Sequence, residues 1–253
     1  GIDNTFLSRA LSEDIFEPYD SPLLADIADW LKLDPRNRLL PVDYGDVCIN
    51  YDKAYFSERE LAVPGTLSDL LKPEYQGLLV VENPATSSPG LAFLMVTIAE
   101  FGEDGYVDFW EALKANGVVI VNDWETAYYS NFSGSSGRGD QSLVVSYSSS
   151  PVAEVIFADQ TLTESPTASI TSSNSCFRQI EFVGILAGTQ QRELAERFVD
   201  YMLSPAFQED IPLQMFVYPA NEQARLPGEF AQFTVTPQNP ASLPPDLIAA
   251  NRE

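Results

Sequence analysis

The chain has 253 residues, of which 45% are apolar and 11% aromatic, so its composition excludes a disordered chain. Its 37 acidic and 14 basic residues give a formal charge of −23, which repels phosphate backbones and anionic lipid. Nucleic acid is therefore not an expected partner, and the acidity favours either cationic ligands or solubility in a salty habitat. The chain contains no histidine, which excludes Ser-His-Asp and Cys-His catalytic arrangements.

The first 71 residues predict short elements around one long strand. Amphipathic helical runs cover Thr5–Leu11 and Leu23–Leu33. Leu39–Tyr51 has the pattern of a strand, in which Gly45 favours a bulge or a crossover. Thr66–Leu71 then has the pattern of a short capped helix.

The segment Glu82–Leu91 joins an apolar strand-like run, Gly77–Val81, to an apolar helical run, Leu91–Phe101. Backbone N–H groups at a helix N-terminus lack partners within the helix, and the helix dipole adds positive potential there. A turn of hydroxyl side chains at this place therefore predicts a site for an anionic group.

Three hydroxyls of that turn, Thr86, Ser87 and Ser88, would supplement the backbone N–H groups. Pro89 suits a first helical position, and Gly90 would let a ligand approach the backbone. The alternative is a well-capped helix that binds nothing, because Ser and Thr are common capping residues.

The next elements alternate between helix and strand. The pattern predicts a helix at Glu103–Asn116, a strand at Val118–Val121, a helix at Trp124–Phe132, a Gly/Ser-rich loop at Ser133–Gly139 and a buried strand at Leu143–Tyr147. Such alternation predicts a parallel sheet flanked by helices, with ligands at the carboxyl ends of the strands. The hydroxyl turn, Trp124 and Tyr147 all follow such ends, so a binding cleft is expected there.

A second long strand is predicted at Arg178–Leu186, and it would run beside Leu39–Tyr51 as a two-strand connection between lobes. That pairing would bring Cys48 and Cys176 together, and the sequence leaves open whether they form a disulfide or remain two thiols. A capped amphipathic helix follows at Gln191–Leu203. The Pro-rich remainder ends in a predicted short helix near Asp246–Asn251.

An ordered set of short motifs covers almost the whole chain. These motifs are Gly1-Ile-Asp-Asn4, Asp43-Tyr-Gly45, Tyr51-Asp-Lys53, Thr86-Ser-Ser-Pro-Gly-Leu91, Asp123-Trp124, Ala127-Tyr128, Val145-Ser-Tyr147, Ser150-Pro151, Ser204-Pro-Ala-Phe-Gln208 and Tyr218-Pro219. In this order they resemble the thiamine-binding proteins of bacterial ABC importers, which are type II periplasmic solute-binding proteins.

The resemblance implies an α/β, type II periplasmic-binding-protein-like fold with two lobes joined by a two-strand hinge. Lobe one would hold residues 1–46 and 180–253, and lobe two residues 47–179. Members of the family begin well before the position of Gly1, so the first lobe is expected to be incomplete in this chain.

The resemblance also implies a binding site. Ser87 would contact the phosphate or hydroxyethyl end of the ligand with help from Trp124 and Tyr147, and Asp3 would face its cationic ring. Phe216 occupies the place of an aromatic residue that stacks on the vitamin. The family has a tryptophan at that place, and its second stacking tyrosine falls here on Ala153. The predicted ligand-binding residues are Asp3, Ser87, Ser88, Trp124, Tyr147 and Phe216.

The implied function is capture of thiamine or a thiamine phosphate outside the cytoplasm and delivery to a membrane permease. No catalysis, cofactor, metal or nucleic acid is expected, and the protein is expected to be a periplasmic or extracellular monomer, with a lipid anchor as one option. The alternative is a ferric-iron receptor that uses Tyr128 and Tyr129 beside Tyr147, because phenolate oxygens suit Fe(III). An enzyme and the effector domain of a transcription regulator are less well supported by the residues.

Overall fold

A computed structural model describes residues 2–136, 139–241, 243–244 and 247–248. The strands of this part of the chain are β1 (Ile2–Asp3), β2 (Phe16–Glu17), β3 (Leu40–Asp52), β4 (Leu79–Glu82), β5 (Val119–Val121), β6 (Leu143–Tyr147), β7 (Thr167–Ile170), β8 (Phe177–Val183), β9 (Ile185–Leu186) and β10 (Tyr218–Pro219). Its α-helices are α1 (Leu7–Ser12), α2 (Lys53–Glu58), α3 (Ser88–Ala115), α4 (Ser133–Ser136), α5 (Ser150–Ile156), α6 (Arg192–Leu203), α7 (Pro205–Gln208), α8 (Ile211–Met215) and α9 (Gly228–Phe233).

Other helical turns complete the described chain. Short 3-10 turns lie at Pro22–Asp26, Asp29–Leu31, Leu67–Leu71 and Pro73–Tyr75, and a π-helix covers Thr126–Asn131. Thr66 and Asp69 form a capping box at the third of these turns, as the sequence predicts for Thr66–Leu71. No helix among the described residues combines the length and the apolar character that crossing a membrane requires.

The chain divides into two compact units. Unit one contains residues 1–45, 179–231 and 244–253, and unit two contains residues 46–178 and 232–243. Strands β3 and β8 each carry the chain from one unit into the other, and they are neighbours in the sheet order. The adjacency of these two long strands is as expected from the sequence. Their role as a hinge and the predicted lobe boundaries stay predictions.

The sheet of unit two is mixed. Strand β4 lies between β5 and β6 and is parallel to both, in the registers Val80↔Val119 and Val80↔Val144. The parallel arrangement predicted for these three strands is therefore confirmed. Strand β3 pairs antiparallel with β6 at Cys48↔Ser146 and with β7 at Ile49↔Ile170.

One face of this sheet carries an apolar cluster that holds the loops at the strand ends. Val80 and Val144 pack there against Ala127, Tyr128 and Phe132, all of them buried. Because side chains alternate along a strand, every second residue of β4 and β6 faces the same cluster.

Helix α3 combines the two helices predicted at Leu91–Phe101 and Glu103–Asn116. Gly102 separates them, because its φ of 73° and ψ of 171° are not helical. Only glycine adopts this backbone conformation without strain, so the chain can change direction there. The first part is almost entirely buried, whereas the second exposes most of its surface.

Unit one contains three strand pairings, of which the first two belong to one sheet. Strand β1 pairs antiparallel with β8 at Asp3↔Glu181, and β10 pairs antiparallel with β3 at Tyr218↔Tyr44. Strands β2 and β9 form a small antiparallel pair. Helix α6 confirms the helix predicted at Gln191–Leu203.

Unit two is cross-linked twice near the start of its β3 segment. Cys48 and Cys176 form a disulfide, which resolves the choice that the sequence left open. Asp46 accepts hydrogen bonds from Arg178, at 2.8 Å from Nε and 2.9 Å from Nη2. The covalent bond and the ion pair thus join the same two chain segments.

The bulge offered for Gly45 and the loop predicted at Ser133–Gly139 do not form as predicted. Gly45 does not interrupt β3, which runs unbroken because β10 pairs with it before this glycine and β6 after it. The other option, a crossover, agrees with the passage of the chain from unit one to unit two between Gly45 and Asp46. Ser133–Ser136 forms helix α4 rather than a flexible loop. Most of the helix predicted near Asp246–Asn251 lies outside the described residues, of which only 247–248 are helical.

Candidate functional site

The predicted rim of unit two lies at the carboxyl ends of β4, β5 and β6. Because the three strands are parallel neighbours, the loops that follow them leave from the same edge of the sheet. Thr86 Oγ1 donates a 2.7 Å hydrogen bond to the carbonyl of Asn122, and Trp124 Nε1 donates a 2.8 Å hydrogen bond to Ser146 Oγ. The hydroxyl turn, the loop after β5 and the end of β6 are therefore joined.

The hydroxyl turn leads directly into α3. Ser87 precedes the first helical residue in an extended conformation, and its side chain does not cap the helix. Ser88 is exposed and Pro89 is the second helical residue rather than the first. Thr86 differs from its neighbours because its hydroxyl already binds the chain. Two of the three hydroxyls, those of Ser87 and Ser88, thus remain candidates for an anionic group.

The sequence interpretation of Gly90 is wrong. Gly90 is buried, and a Cβ atom at this position would lie 2.4 Å from the backbone oxygen of Glu82. Any residue other than glycine at this position would force helix α3 away from strand β4. Gly90 therefore allows α3 to pack closely on the end of β4, and it does not give a ligand access to the backbone.

Trp124 is fixed by contacts on several sides. Asp123 caps the segment, because its Oδ1 accepts a 2.7 Å hydrogen bond from the amide of Thr126. The indole stacks on Tyr128, with ring centroids 4.9 Å apart and planes at 17°, and it meets the edge of Tyr129. Together with the hydrogen bond to Ser146, these contacts orient a half-buried indole at the rim.

Tyr147 ends strand β6 directly after Ser146. Successive side chains of a strand point to opposite faces, and Ser146 faces Trp124. Tyr147 therefore leaves the strand on the other face, level with Val47 of β3, and is half-buried. The two predicted aromatic residues, Trp124 and Tyr147, therefore lie at the same edge of the sheet but on opposite faces of it.

The other predicted site residues lie in unit one. Asp3 is 8% exposed, and its Oδ1 accepts a 2.9 Å hydrogen bond from the amide of Thr5 and another from the Thr5 hydroxyl. Phe216 is half-buried and follows α8 in the left-handed conformation, with a φ of 55°. This backbone is uncommon for a bulky residue, so the surrounding structure must hold it there.

Sequence reasoning missed an aromatic group in unit one. Tyr44 stacks on Tyr218 with ring centroids 5.2 Å apart, and the edge of Trp30 meets Tyr44 at 5.0 Å. Trp30 is 47% exposed, whereas Tyr218 is buried. The three residues are distant in the chain, so no local pattern could have indicated the group.

Unit one also gathers carboxyl groups that the sequence did not connect. Burial and the nearby Glu181 carboxylate raise the pKa of Asp43 to about 7. The pKa of Glu181 is itself raised, by burial and then by Asp3. Like charges in a buried place disfavour each other's ionisation. The group therefore favours either a proton or a cation.

Glu82 is a second group that sequence reasoning missed. It is the last residue of β4 and is fully buried. Burial raises its pKa to about 8, the backbone N–H of Glu82 itself opposes that rise, and the Asp123 carboxylate adds to it. Neither carboxyl oxygen has a hydrogen-bond partner among the described residues. No local pattern indicates this burial, because a glutamate at a strand end commonly faces solvent.

A family profile described as "Bacterial extracellular solute-binding protein" matches residues 2–236. The chain belongs to this family. Solute-binding proteins of this kind bind without catalysing a reaction, and the family is extracellular, so this solute-binding protein is placed outside the cytoplasm.

Individual proteins give the same picture. The "Thiamine-binding periplasmic protein" of Escherichia coli (strain K12) is 28% identical over 253 residues, which are 100% of this chain and 72% of that protein. The solved "Periplasmic thiamin binding protein" is 27% identical with a TM-score of 0.83, covering 100% of this chain and 74% of its own. The type II periplasmic-binding-protein-like fold expected from the sequence is thereby confirmed.

Iron-binding proteins share the fold as well. The iron-bound HitA from Pseudomonas aeruginosa has a TM-score of 0.75 at 17% identity, covering 99% of this chain and 78% of its own. That likeness concerns the fold alone. In this solute-binding protein Tyr128 is 1% exposed, donates a 2.8 Å hydrogen bond to Glu154, and has a pKa raised well above its usual value by burial. A phenol held this way is a poor source of phenolate, so the tyrosine-ligated iron site predicted as the alternative is not favoured.

Unit two of this solute-binding protein also contains a cavity of about 320 Å³ away from the predicted site residues. Hydroxyl groups dominate its lining, together with Lys53 and the apolar Phe233 and Val235. The Lys53 ammonium donates a 2.7 Å hydrogen bond to the carbonyl of Ser165, so the cation is already bound within the chain. Glu164, the other charged residue of the lining, lies 3.8 Å from this ammonium, so the two charges of the lining face each other.

Proposed function

We propose that this solute-binding protein captures thiamine or a thiamine phosphate outside the cytoplasm and delivers it to the membrane permease of an ABC importer. The Escherichia coli relative and the solved thiamin-binding structure support this choice of ligand. The protein would act as a monomer, without nucleic acid, and would release the vitamin unchanged.

The observation that carries the proposal is the fixed indole of Trp124 beside the hydroxyl turn. Thiamine combines a flat cationic ring with a hydroxyethyl group that can carry phosphate. A positively charged ring is attracted to an aromatic face, and hydroxyls at a helix N-terminus suit a hydroxyl or phosphate. The joined loops of unit two offer both kinds of group, with Ser87 and Ser88 on the polar end of the ligand.

The remaining site residues have defined roles in this proposal. Tyr147 lies at the same edge of the sheet as Trp124 and would contact the ligand from the opposite face of the sheet. In unit one, Asp3 would face the cationic ring and Phe216 would stack on it. The net charge of −23 favours a cation over a free anion by long-range attraction.

Isothermal titration calorimetry of the protein with thiamine, thiamine phosphate and thiamine diphosphate tests this function. We expect binding of at least one of them, with affinity weakened about threefold to thirtyfold in Trp124→Ala through loss of the cation–π contact. Phe198→Ala is the matched control, because Phe198 is an exposed aromatic residue on α6. Absence of heat from all three ligands at millimolar concentration would refute the proposal.

A further inference from the structure

Glu82 occupies the last position of β4 and is completely enclosed. Its exposed fraction is 0%, and both carboxyl oxygens lack a hydrogen-bond partner among the described residues. An ionised carboxylate in such a place is strongly disfavoured, so the group keeps its proton unless a positive charge comes near. A carboxyl group is a costly choice for a position that needs only to fill space.

The sheet register places Glu82 beside the candidate rim. It lies on the same face of β4 as Val80, which packs against Tyr128, and it is level with Val121 of β5. The Trp124 indole packs against the same cluster as Val80. Ser146, which holds this indole, lies two residues beyond Val144 on the same face of β6, so Glu82 and the indole share one face at this end of the sheet.

Among the described residues, the elements around Glu82 supply negative charge and no cation. Strand β5 presents Val119 and Val121 to this face, and β6 presents Val144 and Ser146, none of which ionises near neutral pH. The entry to the π-helix contributes the Asp123 carboxylate, which disfavours a second negative charge. The Tyr128 phenol of the π-helix is engaged with Glu154.

We propose that Glu82 is a specificity-determining residue that selects a positively charged ligand, by losing its proton when a cationic ring binds against Trp124. This inference rests on the proposed function. The step is an acid dissociation: the O–H bond of the Glu82 carboxyl breaks, the proton passes to solvent, and the carboxylate left behind faces the ligand's positive charge. No electrons are transferred, and the ligand is unchanged.

The carboxylate acts through space and needs no direct contact. In a buried, poorly screened environment, opposite charges a few ångströms apart attract strongly. Because the pKa of Glu82 is raised to about 8 in the empty protein, the acid is mostly protonated at neutral pH. Binding of a cation therefore has to release a proton, and affinity should rise up to about tenfold per pH unit below pH 8 and level off above it.

Calorimetry at pH 7 with thiamine in buffers of low and high ionisation enthalpy, phosphate and Tris, counts the released protons. Thiamine is the better probe because the phosphate group of its esters itself titrates near this pH. We expect release of about 0.9 protons per ligand from the unaltered protein, as a pKa about one unit above the working pH implies. Glu82→Gln should release close to none and bind with an affinity that changes little between pH 6 and pH 8.

Glu125→Gln is the matched control, because Glu125 is an exposed acid next to Trp124 and should leave the proton count unchanged. Thiamine binding without proton release by the unaltered protein would overturn the inference and leave the proposed function intact. An unchanged proton count in a folded Glu82→Gln protein would do the same. Failure of thiamine to bind the unaltered protein would overturn the inference, and only failure of thiamine and both phosphates would overturn the proposed function as well. The buffer comparison does not depend on any variant being folded.

Discussion

Asp46 and Glu82 are carboxyl groups of the same unit, both with an exposed fraction of 0%, and within the described part of the chain only Asp46 has a partner of opposite charge. The Arg178 guanidinium binds both oxygens of Asp46, whereas the described residues supply no hydrogen bond to Glu82. A buried carboxylate that is paired with a cation helps to stabilise the fold, and removal of the cation leaves a buried, uncompensated charge. A buried carboxyl group without such a partner destabilises the fold when it ionises, which points to a role in binding.

Glu154 is intermediate between the two. It is half-buried and accepts a hydrogen bond from the neutral phenol of Tyr128. Burial raises its pKa, and the hydrogen bonds from Tyr128 and Ser135 oppose that rise. Asp46 has a charged partner, Glu154 has neutral hydrogen-bond donors, and Glu82 has no partner among the described residues. These differences set the expected sizes of the effects of substitution on stability.

Removal of the charged partner should have the largest effect. Arg178→Met leaves the Asp46 carboxylate buried without a cation, and we expect a loss of about 3–5 kcal/mol in the free energy of unfolding. Urea denaturation measures this loss. The double variant Asp46→Asn with Arg178→Met should recover part of it, and a double variant as unstable as the single one would show that the pair itself contributes little.

The disulfide beside the ion pair should have the next largest effect. Replacing both cysteines, Cys48→Ser with Cys176→Ser, opens a link between residues 128 positions apart in the sequence. We expect the free energy of unfolding to fall by about 2–4 kcal/mol, mainly because the unfolded chain gains freedom. Denaturation of the unaltered protein with and without a reducing agent is the comparison, and equal midpoints would contradict the expectation.

Glu82 should show its effect through pH. Its pKa of about 8 in the folded protein exceeds the ordinary value of 4.5, so the folded state holds this proton more tightly than the unfolded state. Its contribution to stability is complete below the ordinary value and is lost as pH rises towards 8. Relative to Glu82→Gln, the unaltered protein should therefore lose on the order of 1–3 kcal/mol between pH 5 and pH 8.

Urea denaturation of the two proteins at both pH values measures that difference. Glu125→Gln again serves as the control, since an exposed acid should leave the pH dependence unchanged. If the difference in the free energy of unfolding between Glu82→Gln and the unaltered protein is the same at pH 5 and pH 8, folding does not raise the pKa of Glu82 and the prediction is wrong.

Loss of the neutral donor should have the smallest effect. Tyr128→Phe keeps the aromatic ring in the cluster and removes one hydrogen bond to Glu154, so we expect a loss of about 1 kcal/mol in the free energy of unfolding. The measurement is again urea denaturation at neutral pH. A loss as large as that of Arg178→Met would show that the Tyr128–Glu154 hydrogen bond stabilises the fold as much as the Asp46–Arg178 ion pair does.

The regular elements of unit two were predictable from the sequence. The runs at Gly77–Val81, Val118–Val121 and Leu143–Tyr147 are short and continuously apolar, and each contains a strand. The caps at Thr66 and Asp123 also form as their residue types indicate. These signals lie within a few residues of the structure that they specify.

The features that were missed depend on residues far apart in the chain. Position 90 requires a glycine because the end of β4 lies against it, and Glu82 is fully buried although it ends a strand. Local sequence patterns locate the rim at the carboxyl ends of β4, β5 and β6, but they do not show which side chains at the rim are buried.

The covalent link between Cys48 and Cys176 constrains how the protein matures. Both cysteines must have left the cytoplasm before an oxidising environment can join them, and Cys176 lies more than two-thirds of the way along this chain. Unit two therefore gains this link only after the segment from Cys48 to Cys176 has been exported. Material produced in a reducing cytosol would lack the link, and recombinant production should be directed to an oxidising compartment.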